Sequence, residues 1–219
     1  MTAIVFDLDG TLIDSAPDIR AIANKVLADE GAGSITLEET RDFIGNGAAT
    51  FVARMMAARG VDTAPDIQER MLTEFKRLYN TAVENSVLYP GVADLLEQLK
   101  SDGHVLGLCT NKPLKPAHYV LEHFGLLKQF DAVLGGDSLP ETKPHPAPLL
   151  KTFEMLSADS ENSLYVGDSE VDAETAERAD VPFALFLGGY RKTPAEDLPH
   201  EMAFEHFNAI PVFVDNRFP

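Results

Sequence analysis

The chain has 219 residues, with 18 Lys plus Arg against 35 Asp plus Glu, a formal net charge of −17. Such an acidic surface excludes a polyanion such as nucleic acid as partner, because gripping a phosphate backbone takes clustered cations that displace its counterions; a small anion stays admissible where local cations or a metal override the global field. The single cysteine excludes an internal disulfide and points to a reducing compartment. No apolar run approaches the ~20 residues of a membrane span, and a start broken by Asp7 and Asp9 is no signal peptide, so the expectation is a soluble cytoplasmic protein of one to two domains.

The run from Ala3 to Leu8 breaks into Asp9-Gly10-Thr11 and reads as a buried strand ending in a tight turn. Ala16 to Glu30 carries Ile19, Ile22, Ala23, Val26 and Leu27 at helical spacing, with Ser15 as N-cap and Pro17 near the first turn. Leu37 to Phe43 and, after Gly45-Asn46-Gly47, Ala48 to Arg59 are expected helices, the latter stopping at Gly60. Asp66 to Val83 reads as a fourth, with Ile67, Met71, Leu72, Phe75 and Leu78 on one face. Beyond Tyr89-Pro90-Gly91 the pattern alternates. Helices are expected at 92–100, 115–124, 146–156 and 171–179, strands at 105–110, 132–134, 163–166 and 183–187, and a last strand at Ile210 to Val214. Such alternation predicts an α/β fold, a Rossmann-like parallel sheet flanked by helices on both faces. The strand-free stretch fits no βαβ unit and is placed as an inserted all-helical cap, 15–82, within a core formed by 1–14 and 83–219.

Four segments fall just after an expected strand or at the start of the next helix, where open parallel sheets bind ligands. They are Asp7-Leu8-Asp9-Gly10-Thr11, Thr110-Asn111-Lys112, Lys143, and Gly167-Asp168-Ser169 with Asp172. Each is also what a capping turn or a solvated lysine requires; their recurrence at equivalent strand ends favours chemistry. Asp7 and Asp9 repel unless a cation or shared proton relieves them. With Asp168 they make an all-oxygen set suited to magnesium, whereas the six histidines and Cys109 offer no zinc spacing and are assigned to packing or surface. The Thr110 hydroxyl and the amide groups of Asn111 can face an anion at the following helix N-terminus. Lys143 is stiffened by the prolines that follow it. Asp172, four residues beyond Asp168, is expected on the same helical face, holding Lys143 or a metal-bound water. Gly45-Asn46-Gly47 is the candidate cap loop for substrate contact, and Arg20 and Arg41 are assigned to solvated surface rather than to a substrate carboxylate.

These motifs resemble, in order, the four of the haloacid-dehalogenase-like hydrolases, specifically the phosphatases with an inserted helical cap: Asp7 to Thr11, Thr110, Lys143, and Gly167 to Asp172. The resemblance spans about residues 1 to 190; Phe6 to Ser15 and Phe43 to Ala48 are similar to phosphoglycolate phosphatases. It implies that Asp7 attacks phosphorus to give an aspartyl-phosphate and that Asp9 protonates the leaving alkoxide, then activates water. It further implies Mg²⁺ held by the Asp7 carboxylate, the Asp9 backbone carbonyl and Asp168. Thr110, the Asn111 backbone amide and Lys143 would stabilise the phosphoryl oxygens, with Gly10 and Thr11 counted among the substrate-binding residues. The dehalogenase branch lacks the second Asp, so Asp9 argues against dehalogenation. The implied partner is a small phosphate ester, with no nucleic acid or membrane, and the chain a monomer or homodimer. A sugar-phosphate phosphatase, a phosphomutase and a non-catalytic binding protein on this fold are the alternatives.

Overall fold

In the computed structural model, which describes residues 1–219, the apolar run Ala3–Phe6 forms the strand β1. It pairs in parallel with β4 (Val105–Cys109) on one side and β6 (Ser163–Gly167) on the other, Ala3 lying opposite both Val105 and Ser163. Beyond them lie β5 (Ala132–Leu134), β7 (Phe183–Phe186) and β8 (Met202–Phe204), in the order β5-β4-β1-β6-β7-β8 with every pairing parallel.

Side chains alternate across a strand, and the helices divide accordingly. Ile4, Phe6, Leu106, Leu108, Leu164 and Val166 point to the face covered by α5 (Val92–Ser101), α6 (Leu114–His123) and α9 (Ala209–Arg217). Ala3, Val5, Tyr165, Phe183 and Leu185 point to the opposite face, under α7 (Ala147–Met155) and α8 (Glu170–Ala179). The expected Rossmann-like sheet with helices on both faces is the observed architecture. Its two-sided burial explains why the strands read as continuous apolar runs.

Four helices stand apart from the sheet: α1 (Ala16–Asp29), α2 (Leu37–Phe43), α3 (Gly47–Arg59) and α4 (Pro65–Tyr79). They bury Ile19, Val26, Phe51, Met55, Met71 and Phe75 against one another. Local chemistry sets their ends. A Thr36–Glu39 capping box starts α2, Gly60 at φ 62° closes α3, and Pro65 opens α4. α4 stops at Tyr79, short of the expected Val83, because Val83 is buried in the core of the sheet instead. The two ends of the helical insertion are tied together by elements too short to show a pattern in the sequence. β2 (Ile13–Asp14) pairs antiparallel with β3 (Val87–Leu88). Buried Asp18 accepts from the Asn85 backbone N–H at 3.0 Å and the Ser86 hydroxyl at 2.6 Å. No helix is long and apolar enough to cross a membrane.

The expected strand at Ile210 to Val214 is instead the body of α9. Its β-branched residues suggest a strand, but Ile210 and Val214 lie one helical turn apart and both bury in the sheet core. The edge strand beside β7 is β8, which the sequence pattern does not reveal. Phe207 joins them: its ring centroid lies 4.8 Å from that of Phe186 and 5.4 Å from that of Phe204. Phe207→Ala should therefore cost about 3–5 kcal/mol of unfolding free energy in a denaturant titration; a loss below about 1 kcal/mol would show that the C-terminal segment is not part of the cooperative core.

Candidate active site

β1, β4 and β6 end side by side, and the segments that follow them converge there. Asp7 continues the ladder, its N–H donating to Val166 O at 2.9 Å, before the chain turns. The turn needs Gly10 at φ 91°, and the residue's lack of a side chain is equally required: a Cβ there would lie 2.5 Å from Asp168 Oδ2.

Asp7 and Asp168 are both buried, and with Asp172 they present carboxylate oxygens within 4.8 Å of one another. Their partners differ. Asp172 is saturated: Oδ1 accepts from Lys143 Nζ at 2.7 Å and Tyr165 Oη at 2.7 Å, and Oδ2 from the Ser169 hydroxyl at 2.7 Å and the Asp168 and Ser169 backbone N–H groups. Burial would raise its carboxyl, but the Lys143 ammonium and these hydroxyls outweigh that and hold it below the usual range. Asp168 Oδ1 accepts from the Thr11 hydroxyl at 2.8 Å, and Oδ2 from the Tyr190 N–H at 2.6 Å. Burial, then Asp172 and Asp7 close by, push its carboxyl well up. Asp7 is pushed up to about 6, chiefly by burial, against the pull of Lys143. Lys143 Nζ stands 2.9 Å from Asp7 Oδ1, yet off the angle of a hydrogen bond, so that oxygen is buried with no donor. Lys143 itself is buried and held above its usual range: burial would lower it, but Asp172 and Asp7 prevail.

Asp9 turns toward the helical insertion. Its Oδ1 accepts from the Ser15 hydroxyl at 2.6 Å and from Lys112 Nζ at 3.1 Å, and its Oδ2 accepts from the Tyr79 hydroxyl at 3.3 Å. Ser15 thus spends its side chain on Asp9 and does not cap α1 as expected. Thr110, buried after β4, accepts from the Lys112 N–H at 3.2 Å. The Asn111 side chain is committed to protein rather than free for an anion: it clamps the Lys143 backbone, at 2.9 and 3.0 Å, and donates to Gly45 O at 2.9 Å. That last bond joins the sheet end to the loop Gly45-Asn46-Gly47, which borders the cavity.

The cavity measures about 360 Å³ and is faced by Asp7, Asp9, Thr110, Asn111, Lys143 and Asp168 from the sheet and by apolar groups of the insertion. Gly10 and Thr11 lie behind it; Thr11 is fully buried against Asp168. Asp168 and Asp172 do not share a helical face as expected. Asp168 precedes α8, whose N-cap is Ser169, and Asp172 completes the capping box. Arg41 is not merely solvated: it pairs with Asp14 at 2.9 Å, whereas Arg20 is exposed. Cys109 is buried, as its assignment to packing requires. Tyr79, Tyr165 and Tyr190 escape the sequence reading, and Lys112, named there within the Thr110-Asn111-Lys112 segment, is given no role.

With all four ionised, the carboxylates Asp7, Asp9, Asp168 and Asp172 would exceed the two ammoniums, Lys112 and Lys143, by two negative charges, and Asp7 and Asp168 are pushed up accordingly. That excess, the donorless Asp7 oxygen and the all-oxygen donor set fit a divalent metal ion. Asp7 and Asp168 are the residues with capacity to hold it, because Asp172 is already saturated.

A fold of this topology with this acidic strand end is that of the haloacid dehalogenase-like hydrolases. The model of that family matches residues 4–186, and the chain belongs to it. Among its relatives, the phosphoglycolate phosphatase of Cereibacter sphaeroides (strain ATCC 17029 / ATH 2.4.9) is 48% identical over 217 residues, covering 96% of each chain. That of Rhodospirillum rubrum is 36% identical, covering 95% of this chain and 88% of its own. A crystal structure of a predicted phosphoglycolate phosphatase from Haemophilus somnus 129PT superposes with a TM-score of 0.93 at 32% identity, covering 97% of both chains.

The raised Asp7 carboxyl has a measurable consequence. Between its usual value of 3.8 and about 6 the folded state takes up a proton that the unfolded chain does not, so this group's effect on stability worsens as pH rises through that window. A divalent cation relieves the repulsion only where the carboxylates are ionised. Thermal melts should show a larger stabilisation by divalent cation over chelator at pH 7 than at pH 5; equal or absent shifts at both would contradict the assignment.

Proposed function

We propose that the chain is a magnesium-dependent phosphatase that hydrolyses 2-phosphoglycolate through a phosphoaspartyl enzyme at Asp7, with residues 15–82 closing as a cap over the core formed by 1–14 and 83–219. The observation that carries this is the buried Asp7 carboxylate at the cavity, one of whose oxygens has no hydrogen-bond donor, with the Lys143 ammonium 2.9 Å away and Asp9 lining the same cavity. A carboxylate left so is a nucleophile waiting for an electrophile. The names of the relatives supply the substrate, and a cavity of about 360 Å³ suits a small ester.

In the first step an Asp7 oxygen bonds to phosphorus while the bond to the ester oxygen breaks, and Asp9 gives the departing alkoxide a proton. In the second, Asp9 takes a proton from water as that water attacks phosphorus, and phosphate leaves with Asp7 restored. Lys143, the Thr110 hydroxyl and the Asn111 backbone N–H hold the phosphoryl oxygens through both. Asp172 fixes Lys143 in place, and the Asn111 side chain fixes the Lys143 backbone. Magnesium would be held by the Asp7 and Asp168 carboxylates and the Asp9 backbone carbonyl, and when bound it offsets the negative charge of carboxylates and phosphoryl group. Closure of the cap over the ester would exclude surplus water.

Asp7→Asn should lower phosphate release at least roughly a thousandfold while the circular dichroism spectrum stays that of the wild type; near-full activity would remove Asp7 as nucleophile. A panel of 2-phosphoglycolate, sugar phosphates and an aryl phosphate, each with magnesium and with chelator, tests the substrate. Preference for 2-phosphoglycolate that chelator abolishes is expected, and preference for another ester would discard it.

A further inference from the structure

Lys112 takes no part in the steps above, yet its ammonium is buried at the cavity wall. Nζ donates to the Tyr79 hydroxyl at 2.7 Å and to Asp9 Oδ1 at 3.1 Å, and touches Asp9 Oδ2 only at 3.4 Å. Building such a site is costly, because a long side chain is desolvated for contacts of which one is barely a hydrogen bond. We propose that Lys112, with the Tyr79 hydroxyl, is the group that recognises the carboxylate on the leaving-group side of the substrate, an inference that rests on the phosphoglycolate reading of this same site.

The geometry favours Lys112 over the other cations bordering the cavity. In 2-phosphoglycolate a single methylene separates the ester oxygen from the carboxylate carbon. Asp9 must reach the ester oxygen, so a cation 3.1 Å from Asp9 is within reach of the carboxylate as well. Lys143 is committed to Asp172 and Tyr165 and lies against Asp7, on the phosphoryl side. Lys192 sits at the exposed rim, its backbone N–H held by Glu170. The remaining wall on the Tyr79 side is apolar, built from Ile19, Phe51 and Phe75, and offers a carboxylate nothing. A carboxylate arriving there takes over the weak Lys112 contact to Asp9 Oδ2. Asp9 stays held through the exchange by Ser15, by Lys112 at Oδ1 and by Tyr79. Tyr79 ends α4, so the recognition pair also spans the insertion and the sheet.

The test compares 2-phosphoglycolate with ethyl phosphate, the same two-carbon ester without the carboxylate. kcat/KM is measured for both on the wild type, Lys112→Met, Lys112→Arg and Lys192→Met. The wild type should prefer 2-phosphoglycolate, and Lys112→Met should cut that preference at least about thirtyfold. Lys112→Arg should restore part of it, and Lys192→Met should leave it in place. Should Lys112→Met not fold, Tyr79→Phe removes one hydroxyl and should lower the preference in the same direction. If both esters lose equally in Lys112→Met, Lys112 serves Asp9 alone and the inference falls while the phosphatase reading stands. Loss of preference in Lys192→Met instead would also overturn it. A wild type without preference overturns the substrate reading, and the inference with it.

Discussion

At the carboxyl ends of two adjacent parallel strands, the chain buries two carboxylates that it does not neutralise. β1 delivers Asp7 and β6 delivers Asp168, and the Lys143 ammonium, 2.9 Å from Asp7 Oδ1, donates its hydrogen bond to Asp172 Oδ1 at 2.7 Å. Ionised groups in so little water cost several kcal/mol each unless paired. The fold therefore carries a local deficit of positive charge, which shows in the raised Asp7 and Asp168 carboxyls and which a cation can make good. A divalent cation is what such a deficit selects, and with that cation bound the ammoniums beside it act on an arriving anion at much shorter range than the overall charge of −17.

The remaining architecture serves to hold that arrangement. Parallel pairing of β4, β1 and β6 brings three strand ends together, and Gly10 lets the backbone pass directly against the Asp168 carboxylate. The capping box of α8 does two tasks at once: it starts the helix and fixes Asp172 where it positions Lys143. The four-helix insertion is tied at its base by β2, β3 and the Asp18 cluster, yet it reaches the strand ends through few polar groups, among them Gly45 O on Asn111 and Tyr79 on Lys112.

The sheet was legible in the sequence because its strands are buried on both faces and punctuated by helices at regular intervals. The Asp7, Thr110 and Asp168 segments were legible because each follows a strand signal, and Lys143 because it stands shortly before a helix. Two-residue strands such as β2 and β3 carry no periodicity and left no trace. α9 misled because Ile210, Val212 and Val214 have strand-like composition, while burial of Ile210 and Val214 one turn apart decides for the helix. The helical face imagined for Asp168 and Asp172 failed because a capping serine lies between them. Tyr79 and Tyr190 reach Asp9 and Asp14 across long sequence separations, and nothing local marks a tyrosine as the partner of an aspartate.

The charge deficit at the ends of β1 and β6 is the claim on which the rest stands, and titration calorimetry of the metal-free chain with magnesium chloride at pH 7 measures it most directly. The account predicts one ion bound per chain in the wild type and none in Asp168→Asn. Magnesium bound equally well by both, or by neither, would contradict it.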